Sequence, residues 1–365
     1  MKVCIIGDGL TSLSLAKNLV NKKINVHIYH KKALTNFASS RTIGISKKNL
    51  EFFEKNIITL KKENKWKIKK IEIYSTKSKK NKILNFENDK NDLFYIVKNY
   101  QLYNLLNDKL SKNKFFKKRT IKNNSFFEKL VKKNSYDLII NCDQNNPISK
   151  KHFIKKIHKD YNNVAYTTIL EHDSLKNNSA IQVFTSWGPV AFLPISNTQT
   201  SVVCSLDTSS KNFKDHEILD LIDQYNPQFK IKTNSQIISF DLKFTVLRQY
   251  YHGNILAFGD LLHKIHPLAG QGFNMTIRDI KILSEIIQKK IYLGLQLDSV
   301  ILEEFQNKTK NKNFIFSHGI DFIHEFFNFE KKNKGNKLTK VLQYFGTKKS
   351  FMSSFIKLAD KGLGI

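Results

Sequence analysis

Residues that build disulfide frameworks, tight turns and bidentate contacts are scarce in this sequence. Its 365 residues include three cysteines, five prolines, fourteen glycines and four arginines. Cys4, Cys142 and Cys204 are odd in number and far apart, which excludes a disulfide framework or a CxxC metal site and favours a reducing cytoplasm. Long apolar runs are also absent, and the first apolar segment ends at Asp8. We therefore expect a soluble or peripheral chain without a signal peptide or a membrane span.

Positive charge dominates, with a formal net charge of +30, and lysine supplies almost all of it. The 57 lysines occur in every segment, whereas nucleic-acid binders usually cluster arginine on one element for bidentate contacts. Lysine, asparagine and isoleucine have AT-rich codons, so we interpret the charge as compositional drift and predict no nucleic-acid partner. Attraction to an anionic membrane needs only point charges, so a peripheral contact at the inner face of a membrane stays open.

The first thirty residues predict a βαβ unit. The hydrophobic content of 41% is sufficient for a folded core, and at about 150 residues per domain the length predicts two domains. Val3–Ile6 is an unbroken apolar run, typical of a strand buried on both faces of a parallel sheet. Helical spacing of apolar residues follows over 13–20, and Ile24, Val26 and Ile28 then alternate as a second strand.

Later segments change to consecutive strands and then to helices. Residues 71–75 and 83–86 predict a hairpin, 136–141 a buried strand, and 165–242 five strands with one short helix over 217–223. Residues 254–258 predict another buried strand, followed by a loop with glycines and a helix over 277–287. The chain is predicted to be helical from residue 293 onward. This order predicts an α/β protein with a separate β-rich region.

Gly7-x-Gly9-x-x-Ser12 lies between the first strand and the first helix, where a dinucleotide-binding fingerprint belongs. Gly7 permits the tight turn, and Gly9 lets backbone amides approach a pyrophosphate at the positive end of the helix. Ser12 is small enough for the third position, which is normally glycine or alanine. The acid expected at the end of the second strand is missing because His30 stands there, and a neutral imidazole accepts a ribose hydroxyl more weakly.

The most informative segment runs from Gly259 to Asp279 and reads GDLLHKIHPLAGQGFNMTIRD. A strand delivers Asp260 to a sheet edge, where its carboxylate can accept hydrogen bonds from polyol hydroxyls. Pro267 stiffens the loop, and Gly270 and Gly272 let backbone amides approach a flat ring where a helix begins. The N-terminus of that helix would stabilise negative charge on the ring.

This segment resembles the GD…HP..GQG.N motif of FAD-dependent aromatic hydroxylases, the single-component flavoprotein monooxygenases. Within them it is most similar to the ubiquinone-biosynthesis hydroxylases. Three other segments resemble family motifs in the same order along the chain. They are Arg41–Ser46 (R-T-x-A-L in the family), Val97–Leu105 (V-x-N..L...L) and Phe184–Pro194 (F…GP-x-A-x-LP).

The resemblance implies FAD as the cofactor and assigns residues to it and to the substrate. The predicted catalytic residues are His266 and Pro267, in the loop beside the substrate, and Trp187 and Leu193 are the predicted substrate contacts. His263 is expected to satisfy local backbone groups, and the two histidines, without a glutamate, predict no zinc site or other metal. The predicted cofactor-binding residues are Gly7, Gly9, Ser12, His30, Arg41, Asp143, Gly259, Asp260, Gly270, Gly272, Phe273 and Asn274.

One family motif departs from its usual form. The family's second nucleotide motif ends in Ala-Asp-Gly, whereas this chain reads Cys142-Asp143-Gln144. Asp143 keeps its place, but the loss of the glycine alters the turn near the pyrophosphate. Together with His30, this departure bears on nucleotide affinity and particularly on the docking of NAD(P)H.

The implied fold is a Rossmann-like FAD-binding domain with an inserted β-rich substrate domain and C-terminal helices. The FAD-binding domain comprises residues 1–70, 93–150 and 248–292, the substrate domain 71–92 and 151–247, and the helical region 293–365. The implied reaction hydroxylates the aromatic ring of a polyprenylated phenol in ubiquinone biosynthesis. NAD(P)H reduces FAD, O₂ adds to give a C4a-hydroperoxyflavin, and the distal oxygen is transferred to the ring.

Two alternatives stay open. One is another flavoenzyme on the same fold, such as a soluble aromatic-acid hydroxylase or a prenyl-group reductase. The other is a non-catalytic, membrane-associated subunit of a quinone-synthesis assembly, which the altered Ala-Asp-Gly motif favours and the intact GQG-x-N motif opposes. Phe351, Phe355 and Leu358, interleaved with lysines, would suit a basic helix on a membrane surface.

Overall fold

The computed structural model describes residues 1–31, 40–75, 82–87, 92–132, 135–227, 229–266 and 270–332. The helices are α1 (Leu10–Asn21), α2 (Lys47–Asn56), α3 (Asn99–Ser111), α4 (Ser125–Lys132), α5 (Pro147–His152), α6 (Asp215–Tyr225), α7 (Gln271–Tyr292) and α8 (Ser299–Lys332). The strands are β1 (Lys2–Ile6), β2 (Asn25–His30), β3 (Thr42–Ser46), β4 (Trp66–Ile68), β5 (Lys70–Ser75), β6 (Lys82–Glu87), β7 (Phe94–Lys98), β8 (Phe116–Thr120), β9 (Leu138–Asn141), β10 (Lys156–His172), β11 (Ser179–Phe184), β12 (Pro189–Pro194), β13 (Gln199–Asp207), β14 (Ile231–Asn234), β15 (Ile238–Leu247), β16 (Tyr251–His252), β17 (Ile255–Ala257) and β18 (His263–Lys264).

A largely parallel sheet brings the ends of several strands to one edge. Its order is β16-β17-β9-β1-β2-β8, in which only the edge strand β16 pairs antiparallel. Val3–Ile6 is completely buried, as expected for a central strand between β2 and β9. The predicted βαβ unit and the α/β class are confirmed. The turns that follow β1, β2, β9 and β17 therefore lie at one edge, where ligands of such sheets bind.

A second, mixed sheet has the order β18-β15-β10-β13-β12-β11-β5-β6, with β14 beside β10. The predicted hairpin over 71–75 and 83–86 is the pair β5–β6, and β5 pairs with β11 in parallel. The sequence predicts a strand only over 165–170, whereas β10 has 17 residues. In its first half, exposed polar side chains alternate with half-buried ones, of which Ile157 and Tyr161 are interrupted by Lys159, so no continuous apolar period marks it as a strand.

The strand β3 lies between these two sheets and was not predicted as a strand. It pairs with β7 in a small antiparallel sheet, β3-β7-β4, and it contacts α7. Just before and within it, the hydroxyl of Ser40 lies 3.1 Å from that of Thr167, and Thr42 Oγ1 donates to Ser201 Oγ at 2.9 Å. The chain around residues 40–46 therefore connects the parallel sheet with the mixed sheet.

The described part of the chain ends in the helices α7 and α8, which contact each other, in agreement with the helical prediction for this part. Residues 333–365, which include Phe351, Phe355 and Leu358, lie outside the described residues. Among the described helices, none combines the length and the hydropathy that crossing a bilayer requires. The domain boundaries stay a prediction, although β5, β6 and the strands of 156–247 share one sheet.

Candidate functional site

The turn between β1 and α1 leaves open space in front of the helix. Gly7 has a φ of 105°, and its N–H donates to the carbonyl of Tyr29 at 2.8 Å. A Cβ at Gly7 would lie 3.4 Å from Ser12 Oγ and 3.5 Å from the Asp143 nitrogen, so this side of the turn is closed. A Cβ at Gly9 would meet no heavy atom of the described residues within 4 Å. Open space above a helix N-terminus is where phosphate groups bind.

Side-chain hydrogen bonds shape the turn after β9. The carbonyl of Asp143 accepts hydrogen bonds from Asn146 Nδ2 at 2.9 Å and Ser149 Oγ at 2.6 Å. Gln144, in place of the family's glycine, has a negative φ and donates through Nε2 to the carbonyl of Asp260 at 2.5 Å. The turn therefore does not require glycine, and Gln144 joins it to the next turn along the sheet edge.

Gly259 brings the end of β17 against the first turn of α1. It has a φ of 62°, and a Cβ there would lie 2.5 Å from Thr11 Cγ2. Asp260 is exposed beside it and is free of such packing constraints. Burial raises the pKa of the nearby Cys142 thiol to about 12, despite a hydrogen bond with Ser12 that lowers it. Cys142 is therefore a neutral packing residue at this edge.

The start of α7 is a second helix N-terminus beside which the described residues leave space. Gly270, with a φ of 64°, precedes the helix, and a Cβ there would lie 3.2 Å from the Gly44 nitrogen of β3. A Cβ at Gly272 would meet no heavy atom within 4 Å in the described part of the chain, outside the helix's own backbone. The first turn of α7 thus packs on β3 on one side and leaves its other side open.

Asn274 holds this arrangement together through all of its side-chain polar atoms. Its Oδ1 accepts from the Ser46 N–H at 2.9 Å and from Asn49 Nδ2 at 3.0 Å. Its Nδ2 donates to the carbonyls of Gly44 at 2.8 Å and Gly270 at 3.1 Å. Because the side chain faces β3, a contribution of Asn274 to a cofactor is limited to its backbone and to the placement of α7.

Arg41 and Phe273 lie on opposite sides of this region. Arg41 is exposed just before β3, and its guanidinium stacks over the ring of Phe240 in β15, 4.8 Å from the centroid. The ring of Phe273 packs into the core against Phe53, with centroids 6.3 Å apart. Phe273 therefore anchors the first turn of α7 to the core. The exposed Arg41 lies against the mixed sheet, where its guanidinium can still contact a ligand.

These turns together fit a dinucleotide cofactor. Two open helix N-termini offer backbone amides to negatively charged groups, and the exposed carboxylate of Asp260 lies beside one of them. A family model described as an FAD binding domain matches residues 151–292, a range that contains the α7 turn.

Comparisons with curated proteins identify the relatives of this chain. The ubiquinone biosynthesis monooxygenase COQ6 of Dictyostelium discoideum is 23% identical, and the match covers 89% of this chain and 84% of that protein. That of Drosophila melanogaster is 25% identical over 53% of this chain and 49% of that protein. The 3-demethoxyubiquinol 3-hydroxylase of Escherichia coli is 28% identical over 41% and 40%. The chain spans about half the length or less of the last two relatives.

Solved structures show the same fold. The p-nitrophenol 4-monooxygenase PnpA of Pseudomonas putida superposes with a TM-score of 0.78 over 100% of this chain and 98% of that one, at 10% identity. PqsL of Pseudomonas aeruginosa, a probable FAD-dependent monooxygenase, superposes with a TM-score of 0.68 over 94% and 99%, at 14% identity. In sequence and in fold, the chain is therefore similar to FAD-dependent monooxygenases. The resemblance inferred from the motifs is therefore confirmed.

In this FAD-dependent monooxygenase homologue, His266 lies against the mixed sheet rather than at an open surface. It is buried, and its ring meets that of Tyr161 edge to face with centroids 5.5 Å apart. Tyr161 in turn donates its hydroxyl to Asp321 of α8 at 2.6 Å, and burial, with this hydrogen bond, raises the pKa of Tyr161. Pro267 lies outside the described residues. The catalytic assignment of His266 and Pro267 stays a proposal.

The structure separates the two predicted substrate residues of the homologue. Leu193 packs beside Ile68 and Ile96, where the mixed sheet faces the small sheet. Trp187 packs against the core under α6, with its ring 5.3 Å from that of Phe213. Phe192 packs in the same cluster as Trp187, so the neighbouring Leu193 faces the other side of the mixed sheet from Trp187. The assignment of Trp187 and Leu193 as substrate contacts stays a proposal.

The structure contains a buried polar network, between β18, α7 and α8, that the sequence analysis did not predict. His263 Nε2 donates to Asp279 Oδ2 at 2.6 Å, and Asn313 Nδ2 donates to Asp279 Oδ1 at 3.0 Å. The hydroxyl of Tyr250 is buried nearby, where burial and the charge of Asp279 raise its pKa. His263 therefore pairs with a carboxylate of α7 rather than with local backbone groups. The only sequence feature that could have indicated this pair is that His263 and Asp279 occur in the same motif, 16 residues apart.

Proposed function

We propose that this chain hydroxylates the aromatic ring of a polyprenylated phenol in ubiquinone biosynthesis, using FAD, NAD(P)H and O₂. Its relatives, which include a ubiquinone biosynthesis monooxygenase and a 3-demethoxyubiquinol 3-hydroxylase, support this substrate class. The observation that carries the proposal is the pair of helix N-termini, at Gly9 and Gly272, that the described residues leave open. A non-catalytic subunit that had lost its cofactor would not need either space to remain open.

Each part of the site would bind a different part of the cofactor or substrate. Bound FAD supplies the oxygen-transfer chemistry. The amides at the start of α1 would bind the pyrophosphate, and Asp260 would accept hydrogen bonds from the polyol hydroxyls. The amides at the start of α7 would stabilise negative charge on the ring system. Leu193, in the apolar layer between the sheets, would help to exclude water from the substrate side.

The cofactor assignment is tested by filling the open space at the start of α1. Gly9 has φ −71° and ψ 177°, a conformation that any residue adopts, so Gly9→Leu is expected to fold. Its side chain would occupy the space for the pyrophosphate, and the purified variant is expected to be colourless while the unsubstituted protein is yellow. Flavin absorbance and the midpoint of thermal unfolding are the two measurements.

The matched control is Gly319→Leu. Gly319 lies exposed on α8, and a Cβ there also meets no heavy atom of the described residues within 4 Å outside the helix. This variant is expected to keep its flavin. A Gly9→Leu protein that retains flavin as fully as Gly319→Leu would show that the cofactor does not bind at this turn.

The reaction is tested by following NAD(P)H oxidation with and without a prenylated phenol. We expect oxidation that depends on the phenol and a product that carries one additional oxygen atom, measured by mass spectrometry. Activity with an aromatic acid instead would favour a soluble aromatic-acid hydroxylase, and saturation of a prenyl chain would favour a reductase. A yellow protein that oxidises NAD(P)H with none of these substrates would favour the non-catalytic alternative.

We also propose a reducing compartment and a peripheral contact with an anionic membrane, where a lipid-like phenol would reside. Tyr292, the last residue of α7, is 89% exposed, and Leu293 and Leu295 after it are also exposed, next to Lys289 and Lys290. Apolar side chains flanked by lysines suit an anionic interface. The protein is expected to sediment with vesicles that contain anionic phospholipid, and Tyr292→Ser should weaken this binding. Equal sedimentation of both proteins would contradict the contact.

A further inference from the structure

The ribose position at the end of β2 has no acid of its own, but a carboxylate reaches it from another element. Dinucleotide-binding βαβ units usually hold the ribose hydroxyls with an acid at the end of the second strand. Here that strand ends at His30. The side chain that meets His30 is Asp8, the residue between Gly7 and Gly9, whose Oδ2 lies 3.4 Å from His30 Nδ1.

The strand order explains how Asp8 reaches this place. Because β2 lies between β1 and β8, the turn after β1 is adjacent to the end of β2. The hydrogen bond from the Gly7 N–H to the carbonyl of Tyr29, at 2.8 Å, holds the turn against that strand. On the far side of β2, Lys118 of β8 extends its Nζ to within 3.5 Å of Asp8 Oδ2.

The neighbouring ammonium group of Lys118 reduces the repulsion between the Asp8 carboxylate and a pyrophosphate. Lys118 is itself positioned by Tyr103 Oη and Asn107 Oδ1, each 3.3 Å from its Nζ. It offsets the charge of Asp8, which would otherwise repel the phosphates bound at α1. The Nδ1 of His30 lies 2.6 Å from the carbonyl of Lys31, which can only accept, so Nδ1 carries the proton.

The carboxylate remains accessible to a ligand. The side chain of Asp8 is 26% exposed, whereas that of His30 is only 11% exposed. The contacts of Asp8 with His30 and Lys118 both use Oδ2, so Oδ1 is left to accept from a hydroxyl. A carboxylate accepts such a hydrogen bond more strongly than a neutral imidazole does.

We propose that Asp8 supplies the carboxylate that binds the ribose hydroxyls of the adenosine half of the cofactor, replacing the missing acid of β2, and that Lys118 and His30 position it. This inference rests on the proposed binding of FAD at α1. The departure at His30 is then compensated within the glycine-rich turn itself.

The test compares Asp8→Asn with a variant that moves the acid back to β2, Asp8→Asn with His30→Glu. Asp8 has a negative φ, so asparagine fits the same backbone. Affinities of the apoprotein are measured for FAD and ADP, which carry the adenosine ribose, and for FMN, which does not. Asp8→Asn is expected to weaken FAD and ADP about tenfold or more, the loss of one hydrogen bond to a charged group, and to leave FMN unchanged.

The rescue and the control separate a binding role from a structural one. The double variant is expected to regain most of the FAD and ADP affinity. Asp220→Asn, the same charge change at an exposed position of α6, should bind all three ligands as the unsubstituted protein does. Unchanged affinities in Asp8→Asn, or equal weakening of FAD, ADP and FMN, would overturn the assignment.

The ADP measurement distinguishes this proposal from the proposed function. Binding of ADP that depends on Asp8 in a protein that takes up no FAD would refute the flavoenzyme proposal and keep the ribose assignment. FAD binding that Asp8→Asn does not change would support the flavoenzyme proposal and refute the ribose assignment. A protein that binds neither ligand would overturn both.

Discussion

Replacing Asp279 with alanine is expected to lower the free energy of unfolding by about 3–5 kcal/mol. His263 and Asp279 have side chains only 1% exposed, so the substitution leaves the donor groups of His263 and Asn313 buried without their acceptor. These residues belong to β18, α7 and α8, and the carboxylate is the group that joins all three elements. Urea unfolding followed by circular dichroism measures the loss.

Two other substitutions show whether the loss comes from the network. Asp279→Asn keeps an acceptor of similar shape and should lose less stability than Asp279→Ala. Asp220→Ala, at an exposed position of α6, should change the free energy of unfolding by less than about 0.5 kcal/mol. If Asp279→Ala unfolds at the same urea concentration as Asp220→Ala, the network does not stabilise the fold.

Asn274→Ala is expected to lose about 2–4 kcal/mol of stability and, with it, most of the bound flavin. Asn274 makes four hydrogen bonds through one buried amide, and alanine leaves the polar groups of β3 and of the Gly270 turn unsatisfied. The start of α7 would then separate from β3, and its amides would no longer face the ring. Thermal unfolding and the flavin content of the purified protein are the two readouts.

Asn274→Asp separates the donor half of this side chain from the acceptor half. It keeps acceptors for Ser46 and Asn49 but places a carboxylate against the carbonyls of Gly44 and Gly270, so we expect destabilisation close to that of alanine. Asn307→Ala, at an exposed position of α8, is the control and should retain flavin and stability. Retention of flavin by Asn274→Ala would contradict a role of this amide in placing α7.

The local parts of the site could be read from the sequence. The apolar run of β1, the glycines at Gly7 and Gly9 and the start of α1 lie within a dozen residues of one another. Turn geometry, apolar periodicity and helix N-termini depend on such short separations. The Gly259–Asn274 motif was recognisable for the same reason, and the comparisons confirmed the resemblance that it indicated.

The partners of these residues were not predictable in the same way. Asp8 and Lys118, or Gln144 and Asp260, are more than 100 residues apart and meet because of the strand order. A motif shows that a glycine is missing after Asp143, but not that a glutamine side chain bridges the two turns instead. Strand order depends on packing over the whole sheet, so a local sequence pattern cannot predict it or the contacts that it creates.

The sequence by itself therefore determined the fold class, the resemblance to flavoprotein hydroxylases, the glycine turn before α1 and the position of α7, all of which rest on residues close along the chain. Only the tertiary structure decided that Trp187 and Leu193 face opposite sides of the mixed sheet, that Asn274 turns its amide to β3, and that Asp8 lies beside His30 at the end of β2. The physical reason is that the face of a strand and the neighbour of a turn are set by pairing and burial between distant segments. The few glycines and the abundant lysines of the composition carry none of that information.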